Sequence, residues 1–164
     1  MEHYYTNNPT TKSCEQIINS KISGEDFKFY TDTGVFSKDG VDFGTKVLLE
    51  NFSSQKNTAH VADIGCGYGV ISIVLAKHNP DYSFTMVDVN NRSLELTKKN
   101  IELNRIENKI EIIESSSFDN VKGEFDIVLT NPPIRAGKKI VHQIMVDSFN
   151  HLSESGELWV VIQK

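Results

Sequence analysis

The chain has 164 residues, 38% hydrophobic and 24% charged, with four prolines, which suits one ordinary globular domain with a real core. A formal net charge of −5 excludes a protein that grips nucleic acid by overall charge, though not one that meets it at a local basic patch. No apolar run is long enough to span a membrane and the N-terminus lacks the apolar core of a signal peptide, so the expected location is cytoplasmic.

Residues 1–12 are polar and carry Asn7-Asn8-Pro9, an irregular arm. Segments 15–22 and 27–31, rich in β-branched and aromatic residues around Ser23-Gly24-Glu25-Asp26, predict a hairpin. Residues 33–40 read as a loop with apolar anchors. In 43–52 the positions of Val47, Leu48, Leu49 and Phe52 predict a helical face, with Asp42 near its start.

From His60 strands and helices alternate: strand 60–64, helix 69–78, strand 83–88, helix 91–104, strand 110–114, strand 125–130, a helix over about 138–152 and a strand at 158–162. The predicted fold class is therefore α/β, a doubly wound, mostly parallel sheet with helices on both faces behind an N-terminal β-hairpin extension. The expected organisation is a single domain over 1–164, with arm and hairpin in 1–42 and the core in 43–164. Ligands of such sheets bind beyond the carboxyl ends of the strands, where every unusual motif of this chain falls.

The first such end is Gly65-Cys66-Gly67-Tyr68-Gly69, between strand and helix. Glycines there leave the backbone open to a ligand and accept positive φ, while the helix start offers unpaired N–H groups. Cys66 reads as a small side chain within the turn. Asp63 closes the strand where a dinucleotide-binding turn usually has an apolar residue. It either orders the turn by accepting backbone N–H bonds or reaches a cationic ligand group, and it counts against a nicotinamide cofactor. Asp88 ends the next strand, 19 residues after Gly69. A carboxylate there can accept bonds from two ribose hydroxyls; otherwise it caps the following helix, which Asn90 can do equally.

Asn131-Pro132-Pro133-Ile134 closes the strand at 125–130. The prolines fix φ and remove two donors, so local carbonyls stand out as acceptors beside the Asn amide. Together they can hold an –NH2 group by both hydrogens and aim its lone pair at an electrophile. No strong base is required, because the proton leaves a nitrogen already alkylated. The alternative is a plain strand-end turn. Arg135, Lys138, Lys139 and His142 follow at the mouth of the site. For Arg135 and Lys138 a phosphate contact and a solvated helix face both stay open. Lys139 reads as solvated, and His142 has no partners at ligand spacing, so no metal site is expected.

Asp63-x-Gly65-x-Gly67-x-Gly69, Asp88 and Asn131-Pro132-Pro133-Ile134 resemble class I S-adenosylmethionine-dependent methyltransferases. Adding Thr33-Gly34-Val35-Phe36-Ser37, Asp42-Phe43-Gly44-Thr45 and the run from Asn131 to Lys138, the chain is similar to the small-domain methyltransferases related to bacterial ribosomal RNA small subunit methyltransferase C. The resemblance runs from Tyr4 to Gln163. It implies a Rossmann-like fold, S-adenosylmethionine as cofactor, and methylation of the exocyclic N2 of a guanine in 16S ribosomal RNA. The implied partner is ribosomal RNA or the small ribosomal subunit.

Position by position, the resemblance implies that Gly65, Gly67 and Gly69, with Cys66 among them, leave room for the methionine part of the cofactor, with Asp63 near its ammonium. Asp88 and Val89 take the ribose end, and Gly44 and Thr45 close the cofactor pocket from the N-terminal side. Asn131 and the Pro132 carbonyl bind the target amine, with Pro133 and Ile134 completing the catalytic motif. Phe36, Arg135 and Lys138 contact the substrate, with Lys38 as a further local RNA contact.

The chain departs from the family in three places. After the third core strand it has Glu114-Ser115-Ser116-Ser117-Phe118 instead of an Asp, which makes Ser116 the expected acceptor for the adenine amino group. Ile134 stands where relatives stack an aromatic ring on the base. The family fold continues with a helix and an antiparallel hairpin, whereas this sequence stops at Lys164; the expectation is missing C-terminal strands and an exposed sheet edge. Adenine N6 or a protein glutamine amide would present the same –NH2 group, and a non-catalytic cofactor- or RNA-binding fragment is the alternative outside enzymes.

Overall fold

The computed structural model describes residues 8–162; positions 1–7 of the expected arm and the last two residues lie outside them. Strands β1 (Gln16–Ile22) and β2 (Glu25–Thr31) pair antiparallel with Ile22 opposite Glu25. Ser23 and Gly24 both take positive φ, 51° and 82°. Two such residues in a row form the turn whose twist matches that of the strands. The turn is thus two residues long, not four, and β2 starts at Glu25 instead of 27. Ile22, Phe27 and Phe29 are buried from the hairpin.

The second sheet has five parallel strands: β3 (Ala59–Ile64), β4 (Tyr82–Asp88), β5 (Ile110–Glu114), β6 (Phe125–Thr130) and β7 (Leu152–Val160), in the order β5-β4-β3-β6-β7. The central strands read as apolar runs because both of their faces are covered. On one face Val61, Phe84, Met86, Ile127 and Leu129 pack with α1 (Phe43–Asn51), α2 (Val70–His78), α3 (Asn91–Leu103) and the hairpin. On the other, Ala62, Ile64, Val87 and Val128 pack with Ile144 of α4 (Lys138–Asn150) and with Phe118 and Val121 of the preceding loop. Helices on both faces were expected. Strand order reverses between β3 and β6, and a sheet of this kind opens a crevice at that switch point.

Polar side chains of α3 help to hold the hairpin to the core: Asn104 Nδ2 donates to the Lys28 carbonyl at 2.9 Å, and Asn100 makes three bonds. Asn100 of α3 is fully buried; its Oδ1 accepts from the Tyr30 N–H at 2.6 Å, and its Nδ2 donates to the carbonyls of Tyr30 and Tyr68 at 3.1 and 2.8 Å. It serves the edge of β2 as a neighbouring strand would.

The last strand departs from expectation. Helix α4 ends at Asn150, and β7 runs over Leu152–Val160 instead of 158–162. Its pairing with β6 carries an irregularity between Phe125 and Ile127, which accommodates the extra residues before Glu157. Gly156 sits at this irregularity, where an added Cβ would lie 2.9 Å from the Ser153 carbonyl oxygen and 3.0 Å from that of Phe125. The chain therefore joins the sheet earlier than apolar patterning alone indicates. Among the described residues β7 is an edge strand, and no helix is long and apolar enough to cross a membrane.

Candidate active site

The glycine turn folds back onto β4: the N–H groups of Gly65 and Cys66 both donate to the Val87 carbonyl, at 2.8 and 2.9 Å. Gly65 and Gly67 take φ of 72° and 57°, and a Cβ on either would meet nothing within 4 Å. They leave open space beside the backbone. Gly69, the N-cap of α2, has φ of 104° and a different reason to be glycine: a Cβ there would lie 3.1 Å from Ile73 Cδ1. Cys66 is buried, and burial pushes its thiol well up, so it stays a small neutral side chain.

Asp63 is fully buried under this turn. One carboxylate oxygen accepts from the Ser72 hydroxyl at 2.7 Å, and the Ser72 backbone amide also donates to the carboxylate. Helix α2 has no cap from its own N-cap residue, so Asp63 supplies one from the strand below. Its Oδ1 is buried without a partner among the described residues, and burial raises its pKa to about 7.

Asp88 closes β4. Its Oδ2 accepts from the Gly67 N–H at 2.8 Å and its Oδ1 from the Asn90 N–H at 2.9 Å. Burial pushes its carboxyl above the usual range, against the opposing bonds from Asn90, Gly67 and Val89. The helix cap is Asn90, whose side chain accepts from the Ser93 N–H at 3.0 Å. That removes capping as the reason for Asp88.

Across the switch point, Thr130 ends β6 with its hydroxyl on the Ile64 carbonyl at 2.9 Å, and Asn131 follows. The Asn131 Nδ2 donates to Asp42 Oδ2 at 2.9 Å and to Thr45 Oγ1 at 3.2 Å. With both donors engaged, the amide has its oxygen left as an acceptor. Pro132 is buried, and Ile134 and Arg135 are exposed on a short 3-10 turn, Ile134–Ala136.

A cavity of about 300 Å³ lies between these two rims. Its wall brings together ten residues expected from sequence: Phe36, Gly65, Gly67, Asp88, Val89, Asn131, Pro132, Pro133, Ile134 and Arg135. An adjoining space of about 50 Å³ is lined in part by Thr45, Cys66 and Tyr68. Tyr68 donates its hydroxyl to the Ser37 carbonyl at 3.0 Å, and Asn90 Nδ2 donates to that of Gly34 at 2.8 Å, which docks the loop that carries Phe36.

Six expected residues are not on these walls, Lys38 among them. Asp63 and Gly69 are committed to the start of α2. Gly44 lies against Asp42 and Asn131, where an added Cβ would come within 3.0 Å of Asp42 Oδ2. Lys138 is the exposed first residue of α4. Ser116 is flanked by the two serines that do reach the cavity, Ser115 and Ser117. Ser117 takes a positive φ of 51° and donates its hydroxyl to Asp147 at 2.8 Å; the Ser115 hydroxyl accepts from the Asn120 N–H at 2.9 Å. Sequence reasoning missed Asp42, Ile64, Ser93, Ser115, Ser117 and Ile144 as wall residues. For Asp42 the available signal was its place just before a helix, in the D-x-G-T run.

Residues 26–164 match the family described as the methyltransferase small domain. The chain belongs to this family. It is 47% identical over 165 residues to YbxB of Bacillus subtilis (strain 168), covering 99% of this chain and 82% of YbxB. To ribosomal RNA small subunit methyltransferase C of Cronobacter sakazakii it is 34% identical over 141 residues, 84% of this chain and 40% of that protein. The corresponding Escherichia coli enzyme shares 35% over 132 residues, and the chain spans 38% of its length. Among solved structures, the T. thermophilus 16S rRNA N2 G1207 methyltransferase in complex with AdoMet and guanosine superposes with a TM-score of 0.79 at 23% identity, over 93% of this chain and 43% of that one. The ribosomal protein L11 methylase of Lactobacillus delbrueckii subsp. bulgaricus gives 0.59 at 25% identity, over 70% and 56%.

The cofactor of class I methyltransferases of this family is S-adenosylmethionine, and the residues present fit it. Two glycines have open space where side chains would stand, a carboxylate lies on the cavity wall, and the cavity spans from the turn to Asn131.

Proposed function

We propose that this domain transfers the methyl group of S-adenosylmethionine to an exocyclic amine in RNA, the N2 of a guanine in 16S ribosomal RNA. One observation carries the reading. The amide of Asn131 has its donors tied to Asp42 and Thr45, which leaves its oxygen as an acceptor in the cavity opposite the glycine turn. The similarity to ribosomal RNA small subunit methyltransferase C supports the guanine target.

When bound, the cofactor supplies an electrophilic methyl carbon on its sulfonium. Gly65 and Gly67 leave room for its methionine end, Asp88 accepts from its ribose hydroxyls, and Ser115 and Ser117 border the wall beyond Val89. Asn131 Oδ1 and the Pro132 carbonyl accept the two hydrogens of the target –NH2. This fixes the nitrogen in plane and directs its lone pair at the methyl carbon. With the cofactor bound, both acceptors would stabilise the positive charge that grows on the amine nitrogen more than they stabilise the neutral amine. The proton then leaves to water. The target base must be unstacked first, at about a few kcal/mol, less in a loop. Ile134 packs on the base as an apolar face. Arg135 and Lys138 contact phosphates locally, while Lys38 is already paired with Asp39 at 3.0 Å.

Incubation with labelled cofactor and small ribosomal subunits from cells lacking the protein tests the reading. Label in 16S RNA as N2-methylguanine, lost in Asn131→Ala while cofactor binding by calorimetry persists, is the expected result. Label on adenine N6 or on a protein glutamine would reassign the acceptor, and a well-folded sample that binds no cofactor would refute the reading.

A further inference from the structure

We propose that Asp42 and Thr45 of the α1 N-terminus are positioning residues for methyl transfer: they form a clamp that sets which way the Asn131 amide faces. The inference rests on the reading of Asn131 as the acceptor for the target amine.

An asparagine amide fits its site in two orientations related by a half-turn about its terminal bond, and they exchange a donor for an acceptor. Only one of them accepts from a substrate –NH2; the other sets NH2 against NH2. Main-chain freedom near Asn131 is small, because two prolines follow it and Thr130 is tied to β3. The side-chain torsion remains, and the clamp decides it. Asp42 Oδ2 lies 2.9 Å from Asn131 Nδ2, and Thr45 Oγ1 lies 3.2 Å from it. A carboxylate has no hydrogen to give, so the reversed amide would bring two oxygens together at about the same distance.

The same Asp42 oxygen accepts from the Thr45 N–H at 3.2 Å, which makes it the N-cap of α1. The atom that starts the helix therefore also orients the amide. Gly44 completes the arrangement: a Cβ there would stand 3.0 Å from Asp42 Oδ2 and 3.4 Å from Asn131 Nδ2, between the two partners. The D-x-G-T run and the N-P-P run, 86 positions apart from Thr45 to Asn131, thus act as one unit. Helix α1, which the resemblance gave to the cofactor pocket, serves the acceptor side.

Three variants separate the clamp from the cap. Asp42→Ser keeps a capping hydroxyl and is too short to hold the amide. It is expected to lower the single-turnover transfer rate on the order of 10²-fold, the loss typical of a misdirected catalytic group, with cofactor affinity unchanged. Asp42→Asn keeps one carbonyl oxygen, which the Thr45 N–H holds in place for both bonds, and is expected to retain most of the turnover. Thr45→Val removes only the weaker acceptor, for a smaller loss in the same direction, and gives the answer if Asp42→Ser fails to fold.

The readout independent of turnover is the pair of Asn131 side-chain amide signals in a nitrogen–proton correlation spectrum. They should be shifted and slow to exchange in the wild type and in Asp42→Asn, and move towards free-amide positions in Asp42→Ser. Wild-type turnover with unmoved signals in both Asp42→Ser and Thr45→Val would overturn the clamp. A wild-type protein that methylates no amine would instead refute the proposed function, and the amide signals would then decide the clamp alone.

Discussion

Replacing Asp63 by asparagine should change how the stability of this protein depends on pH. The side chain is fully buried, one oxygen accepts from Ser72, and the other has no partner among the described residues. Burial raises its pKa to about 7, against about 3.9 for an unfolded chain. Between those values the native protein holds a proton that the unfolded chain has released. The stability tied to this group is therefore fully present below about pH 4 and is lost as pH rises through about 7. A gap of about 3 pH units corresponds to about 4 kcal/mol by linkage.

Asparagine has no charge to desolvate. The difference in unfolding free energy between Asp63→Asn and wild type should thus grow by about 4 kcal/mol from pH 4 to pH 8, at about 1.4 kcal/mol per unit, and level off above. Urea denaturation across that range, followed by far-UV circular dichroism, measures it. Taking the difference between the two proteins removes groups that act in the opposite sense. One is Asp32: burial alone would raise its carboxyl, but hydrogen bonds from Ser13, Cys14 and Thr33 outweigh it and hold the carboxyl low, so its contribution is lost on acidification. Two denaturation profiles that stay parallel from pH 4 to 8 would refute the argument.

Asn100→Ala removes one buried and two partly buried hydrogen bonds and leaves two Tyr30 groups and the Tyr68 carbonyl without their Asn100 partner, so a loss of about 3 kcal/mol is expected in the same denaturation experiment, with proteolysis of the hairpin enhanced. Gly67→Ala places a methyl group in open space on the cavity wall; calorimetry should show cofactor binding lost with only about 1–2 kcal/mol of backbone strain. Gly69→Ala meets Ile73, Met86 and Thr97 instead, and the expected effect is lower stability measured by thermal melting. Asp88→Asn should weaken cofactor binding by about 10- to 100-fold, the worth of a charge-assisted hydrogen bond, and leave α3 intact because Asn90 caps it.

Some of these features were legible because they depend on neighbours in sequence. The apolar runs of β3, β4 and β6, the glycine turn and the Asn-Pro-Pro run each state their own local geometry. The hairpin was legible in outline; the length of its turn depended on Ser23 accepting a positive φ, which residue type indicates only weakly. The extent of β7 was hidden because it depends on Gly156 passing the Phe125 carbonyl, a contact made only once the sheet is assembled. Residue type could not choose among three consecutive serines, of which Ser116 was the expected one, while the direction of the chain after β5 turned Ser115 and Ser117 to the cavity.

By itself the sequence determined the α/β order, the parallel sheet and the two strand ends at which chemistry is placed, since alternating patterns and turn residues act over a few positions. Tertiary structure alone decided the division of labour among the polar groups. Asp63 faces α2 and caps it, whereas Asp88 faces the cavity because Asn90 has taken its other task. Asp42 meets Asn131 although 89 positions separate them, because the fold sets the N-terminus of α1 beside the residue that follows β6. A carboxylate's role depends on which donors stand within about 3 Å of it, and chain folding, not residue type, brings those donors there.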